Sequence, residues 1–96
     1  MIDKSKKVAV VGAGLMGTGI AHAFVSSGFD TRLIDTSEVA LEKAVRGIHG
    51  ILDGGVKLGK LAPELADAAK QRLVTNTSLA RGGEGADLLI ETVSEN

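Results

Sequence analysis

Cysteine is absent from the 96-residue chain, which excludes a disulfide framework and a thiolate nucleophile. Tryptophan and tyrosine are absent as well. The aromatics reduce to Phe24 and Phe29, too few to stack the successive bases of a nucleic acid. Charge of neither sign dominates: 11 Lys and Arg against 12 Asp and Glu leave a formal net charge of −1, which argues against an electrostatic grip on nucleic acid or an anionic membrane. No apolar run approaches the roughly 18 residues of a membrane span. The polar stretch 1–7 passes straight into an apolar run, leaving no room for a signal peptide. A cytoplasmic setting is expected, with no nucleic acid, no membrane and no metal. What remains, 44% hydrophobic and 24% charged residues, is the composition of a soluble globular chain. At this length it is one domain or part of one, able to bury about 60–65% of its unfolded surface.

Glycine is plentiful, at 13 residues, and its placement carries the chemistry. Lys7-Val8-Ala9-Val10-Val11-Gly12-Ala13-Gly14-Leu15-Met16-Gly17 reads as a buried parallel strand, a tight turn and the start of a helix. Gly12 suits a turn that few side-chain-bearing residues tolerate, and Gly14 lets bare backbone N–H groups approach a pyrophosphate. Gly17 lets the first helical turn lie against a neighbouring strand. The free N–H groups and the positive end of the helix dipole make an anion site without any charged side chain. A second strand, about Asp30 to Ile34, then ends in Asp35, 18 residues past Gly17 and close to the spacing of about 20 for the carboxylate that accepts from an adenosine ribose. Helix N-cap is the alternative role for Asp35, because Thr36, Ser37 and Glu38 follow as a helix opening. An acid at this place repels a 2′-phosphate, and no Arg follows within the next few residues. The expected cofactor is therefore NAD rather than NADP, bound by Gly12, Ala13, Gly14, Leu15, Met16, Gly17 and Asp35.

The first helix is expected from Leu15 to Ser27, with Leu15, Gly19, Ile20, Ala23 and Phe24 on one face and Gly28 as its stop. A second helix from Ser37 to Asp53 presents Leu41, Ala44, Val45, Ile48 and Leu52 at helical spacing, with Lys43, Arg46 and His49 as a solvated face. Gly54-Gly55 is expected to interrupt it. A third helix runs from about Pro63 to Arg72 with Leu65, Ala66, Ala68 and Ala69 as its buried stripe; Ala62 is a poor N-cap. The connection is thus a helical pair, a plausible wall for a large second substrate. Leu73 to Thr77 reads as a third strand, 78–81 as one helical turn, 82–85 as a loop and Asp87 to Val93 as a fourth strand. Right-handed crossovers give an α/β fold, a Rossmann-type parallel sheet of order 3-2-1-4 with the helical-pair insertion after strand 2. Residues 94–96 would then face the cofactor at the point where strand order reverses. Residues 1–96 are expected to be an NAD-binding domain cut short, with an open edge on strand four that favours a homo-oligomer by edge contact or element exchange.

With these residues in hand, the chain resembles the amino-terminal NAD-binding domain of the 3-hydroxyacyl-CoA dehydrogenase family. The resemblance lies in Val-Gly-Ala-Gly-Leu-Met-Gly-Thr-Gly-Ile-Ala at 11–21, Leu-Ile-Asp at 33–35, Lys-Leu-Gly-Lys-Leu at 57–61 and Leu-Leu-Ile-Glu-Thr-Val-Ser-Glu-Asn at 88–96. It implies that Glu95 sits near the nicotinamide side of NAD and that the helical pair forms part of an acyl-CoA site, where Lys57 or Lys60 meets CoA phosphates. Solvated surface lysines are the alternative for both. The family oxidises the 3-hydroxyl of an acyl-CoA while a glutamate-oriented histidine removes the hydroxyl proton. Neither His22 nor His49 matches that histidine, so no catalytic residue is expected in this chain and the fragment is expected to be inactive. Position 94 is Ser where the family usually has a branched apolar residue. Two other readings stay open: a dehydrogenase of the beta-hydroxyacid type, and a non-catalytic NAD-binding or redox-sensing module.

Overall fold

The computed structural model describes residues 5–92. The elements run β1 (Val8–Val11), α1 (Leu15–Ser26), β2 (Thr31–Ile34), α2 (Glu38–Lys57), α3 (Pro63–Arg72), β3 (Leu73–Asn76), α4 (Leu79–Gly82) and β4 (Leu88–Glu91). The sheet is parallel, in the order β3-β2-β1-β4. Val8 lies opposite Thr31 on one side and Leu88 on the other, and Val11 opposite Ile34 and Glu91. The C-terminal ends of the three strands that surround the glycine bend are therefore level. This is the expected Rossmann-type order, with α2 and α3 as the helical pair.

Side chains alternate across the sheet. Val8, Val10 and Leu33 join one core with Ala21 and Val25 of α1, Leu41, Ala44, Ile48 and Leu52 of α2, and Ala66 and Ala69 of α3. Ile34 turns to the other face, where a Cβ on Gly82 would come within 2.6 Å of it, so α4 covers that side. Arg32 ties the same region down, its guanidinium donating to the carbonyls of Gly82 and Glu84.

Two helices end in the same device. Gly28 takes φ 99° after α1, with its N–H donating to the Val25 carbonyl and the Phe29 N–H to the Phe24 carbonyl. Phe24 and Phe29 then meet edge to face, ring centroids 5.5 Å apart, which is the hydrophobic contact that accompanies such a stop. Gly59, at φ 72°, ends α2 in the same pattern, with the Lys60 N–H reaching the Gly55 carbonyl.

Four expectations need correction. α2 does not stop at Asp53 but runs through Gly54-Gly55 to Lys57, 20 residues in all. Glycine costs a helix interior about 1 kcal/mol, yet a Cβ at Gly55 would lie 3.2 Å from the Leu61 Cβ, so glycine there lets the chain fold back closely enough to bury the hairpin. The fully buried residues of α1 are Gly17, Ala21 and Val25; of the expected face, Ile20 and Phe24 pack partly buried against the core, whereas Leu15, Gly19 and Ala23 are exposed. Almost every residue of α1 is small or apolar, so periodicity there does not choose a face. Leu65 of α3 is exposed, leaving Ala66 and Ala69 as the buried pair. Finally, β4 is Leu88–Glu91, with Thr92 already past its end and Val93 outside the described residues, and Leu88 and Leu89 stay about half exposed. Among the described residues no helix is long and apolar enough to cross a membrane.

Candidate functional site

The site is a cleft of about 900 Å³ where the C-terminal ends of β1, β2 and β4 meet the start of α1, lined by residues 11–16 together with Asp35, Thr36, Ala40, Glu91 and Thr92. Its floor is a backbone bend whose polar groups are nearly all committed. The Gly12 N–H donates to the Ile34 carbonyl at 2.7 Å, and the Ala13 N–H to Asp35 Oδ2 at 2.9 Å. Thr92 Oγ1 donates to the carbonyls of Val11 and Gly12 at 2.8 and 3.1 Å, and Thr18 Oγ1 to that of Ala13 at 3.3 Å. The chain is thus fastened at each residue before the helix begins.

Beyond that point the amides change character. The Thr18 N–H is the first to reach a carbonyl, that of Gly14 at 2.9 Å. No side chain caps α1, and no acidic residue stands in its first turn. Among the described residues the N–H groups of Gly14, Leu15, Met16 and Gly17 find no acceptor, so the end of the helix is left with its donors and its positive pole available to an anion. Three glycines play three parts. Gly12 has φ 105°, and a Cβ there would strike Thr92 Oγ1 at 2.6 Å. A Cβ on Gly17 would lie 1.7 Å from the Gly12 carbonyl oxygen, so the neighbour it permits is the bend itself and the end of β4. Among the described residues nothing lies within 4 Å of where a Cβ on Gly14 would stand, which leaves room for a ligand to approach bare backbone.

Asp35 stands at the mouth of this bend. One carboxylate oxygen takes the Ala13 N–H and the other the Ser37 N–H, both at 2.9 Å. These two amides, Ala13 first, hold its carboxyl below the ordinary value of 3.8, against a smaller opposing effect of burial. Asp35 is not the N-cap of α2; that role falls to Ser37, whose hydroxyl accepts from the Ala40 N–H at 3.1 Å. Fixed at two points, the Asp35 carboxylate keeps its ionised form and its orientation, as a receiver of ribose hydroxyls requires. Among the described residues the cleft lining holds no lysine, arginine or histidine, so backbone N–H groups are what they offer a phosphate.

Other expected site residues lie elsewhere. Lys57 is the last residue of α2 and Lys60 lies in the turn after it, both exposed. Ala40, near the start of α2, lines the cleft, and Lys57 is 17 residues further on, about 25 Å along the helix axis. Glu95 lies outside the described residues, as do Ser94 and Asn96. His22 bonds Ser26 on the outside of α1. The reading of the sequence missed Thr92 and Thr18. Thr92 was legible in principle, because the residue that follows β4 must stand beside the bend that follows β1; placing it required the end of β4, which the continuous apolar run concealed.

Residues 7–96 match the family model described as 3-hydroxyacyl-CoA dehydrogenase, NAD binding domain. The chain is 40% identical over 95 residues to 3-hydroxyadipyl-CoA dehydrogenase of Escherichia coli (strain K12), covering 99% of this chain and 20% of that protein. It is 36% identical to the fatty acid oxidation complex subunit alpha of Shewanella halifaxensis, covering 98% of this chain and 13% of the relative. Among solved structures, 3-hydroxybutyryl-CoA dehydrogenase from Escherichia coli K12 superposes with a TM-score of 0.89 at 40% identity, over 96% of this chain and 19% of that one. The (S)-3-hydroxybutyryl-CoA dehydrogenase from Ralstonia eutropha gives 0.88 at 34% identity, over 96% and 32%. The chain thus spans about a fifth of the length of the first of these relatives. The cleft fits NAD: amides without acceptors and open space over Gly14 suit a diphosphate, and the Asp35 carboxylate suits an unphosphorylated ribose. Fold, cleft and matched residues agree, and the chain belongs to the 3-hydroxyacyl-CoA dehydrogenase family as its NAD-binding domain.

Proposed function

We propose that this chain is the cofactor-holding part of an NAD-dependent oxidoreductase that interconverts 3-hydroxyacyl-CoA and 3-oxoacyl-CoA. NAD, when bound, accepts or returns the hydride at the substrate's 3-carbon. The chain's own residues bind and orient. The amides of 14–17 take the diphosphate, and Asp35 takes the adenosine ribose hydroxyls and rejects a 2′-phosphate. In this reading Glu95 serves the nicotinamide side of NAD, and Lys57 or Lys60 meets the phosphates of the CoA. Neither His22 nor His49 matches the histidine that serves the family as base, so binding without turnover is the behaviour proposed for residues 1–96 by themselves. Self-association is part of the proposal: the outer edge of β4 pairs with no other strand among the described residues. A cytoplasmic setting completes it.

The observation that supports this reading most is the Asp35 carboxylate bonded to the Ala13 amide, which brings the ribose acceptor and the diphosphate donors to one cleft. Titration with NADH, followed by nicotinamide fluorescence, tests it. Saturable binding is expected, with NADPH at least about tenfold weaker, the scale of one lost charge-assisted hydrogen bond or more. Equal affinity for the two cofactors, or no saturation, overturns the reading.

A further inference from the structure

The structure assigns Thr92 as a positioning residue for cofactor binding, a hydroxyl that locks the glycine bend in the shape the diphosphate needs. The assignment rests on the NAD reading above and adds a residue to it. Thr92 grips the end of β1 twice: its N–H donates to the Val11 carbonyl at 2.8 Å, and its Oγ1 donates to the same oxygen at 2.8 Å while sharing the proton with the Gly12 carbonyl at 3.1 Å. The Gly12 carbonyl is the oxygen against which Gly17 packs, at a place where a Cβ would come within 1.7 Å. The same Oγ1 lies 2.6 and 2.8 Å from where side chains on Gly12 and Gly17 would begin, so it occupies the space between the bend, the first turn of α1 and β4.

Without this hydroxyl, the Gly12 carbonyl has no other donor among the described residues, and the peptide between Gly12 and Ala13 loses a restraint against rotation. That peptide also carries the Ala13 N–H, which holds the Asp35 carboxylate. Thr92 therefore acts at one remove on both halves of the site. It steadies the run of amides that meets the diphosphate, and through Ala13 it steadies the group that meets the ribose. The residue does not itself need to touch the cofactor.

Thr92→Val keeps the branched shape and deletes only the donor; Thr92→Ser keeps the donor and drops a methyl. The test compares NADH and AMP affinities of wild type and both variants, with melting temperature as a check on folding and amide exchange of Gly12, Ala13 and Gly14 read by NMR in the free protein. Thr92→Val is expected to weaken NADH about tenfold, the scale of one buried hydrogen bond, while weakening AMP less, because AMP does not span the diphosphate site. Amide exchange at the bend should speed up while exchange in α2 and α3 stays unchanged. Thr92→Ser should restore NADH affinity to within about twofold of wild type. If Thr92→Val binds NADH as wild type does, or leaves amide exchange at the bend unchanged, the positioning role is overturned while the NAD reading stands. If wild type itself fails to bind NADH, the NAD reading falls and this assignment falls with it.

Discussion

The glycine bend and the α2–α3 hairpin sit side by side in one small domain and are held by different means. In the bend almost every backbone group from 12 to 14 has a named partner, and single atoms decide the fit: the Gly17 position has no room for even a methyl. The hairpin is held by area. Leu41, Ala44, Ile48 and Leu52 of α2 bury against α1 and α3, and the ion pair between Lys70 and Asp53, 2.6 Å apart, lies outside on the surface. Lys70 holds the Asp53 carboxyl below its ordinary value, but the exposure of the pair leaves little of that as stability. Directional contacts fix a shape that a ligand can read; apolar burial fixes an element in place without demanding one shape. Substitutions should therefore separate affinity from stability according to where they fall.

The largest effect is expected at Gly17→Ala, whose Cβ has to displace the Gly12 carbonyl; overpacking of this kind costs about 3 kcal/mol. NADH titration should show affinity lost by more than about a hundredfold, twice the free-energy step of a tenfold change. In the hairpin, Ile48→Ala should lower stability by about 3 kcal/mol in denaturant titration. The folded fraction should still bind NADH within about twofold of wild type, as expected for distant sites. A large loss of affinity there would dissolve the distinction between the two regions.

Asp35→Asn is expected to weaken NADH about tenfold and to narrow its lead over NADPH. The same variant reads the acid limb of stability. The folded Asp35 carboxyl titrates below its unfolded value near 3.8, so its contribution is fully present above that value. The contribution is lost as pH falls through the lower folded value. The wild-type advantage over Asp35→Asn in thermal melts should shrink with acidification below about pH 4; an advantage that grows instead would refute the assignment of the depressed value to Asp35.

The smallest effects concern the glycines of α2. Nothing lies within 4 Å of a Cβ on Gly50, whereas Gly55 faces Leu61. Gly50→Ala should therefore raise stability by about 0.5–1 kcal/mol, and Gly55→Ala should give no such gain. Equal gains at both would mean that the hairpin turn yields more readily than its packing suggests.

How much of this the sequence disclosed differs between the same two regions. Val8–Val11, Gly12 and Asp35 were readable because a strand, a positive-φ turn and an acid at a set distance are local constraints that the chain must write into its residues. The strand order followed from the handedness of the crossovers together with the mononucleotide-binding pattern. The face of α1 was only partly readable, since a helix of small apolar residues offers little contrast between its sides: Ile20 and Phe24 pack against the core, but Leu15, Gly19 and Ala23 do not. Nor was the continuation of α2 through Gly54-Gly55, where a local penalty is overruled by contacts with residues such as Leu61 that come later in the chain. Thr92 was hidden for a third reason: its place depends on β4 pairing with β1 so that Glu91 falls opposite Val11, a register set by two strands 80 residues apart.

That no described residue of the cleft lining is cationic has a consequence for how the cofactor is held in different media. Hydrogen bonds from peptide groups act over about 3 Å, well inside the roughly 8 Å over which dissolved ions damp electrostatic forces under physiological conditions. Asp35 and Glu91, the charged groups among the described lining residues, repel phosphates from further away. Raising ionic strength should thus relieve the opposing force more than the attractive one. A pocket built this way keeps its nucleotide in brine, where a lysine-lined one would let go.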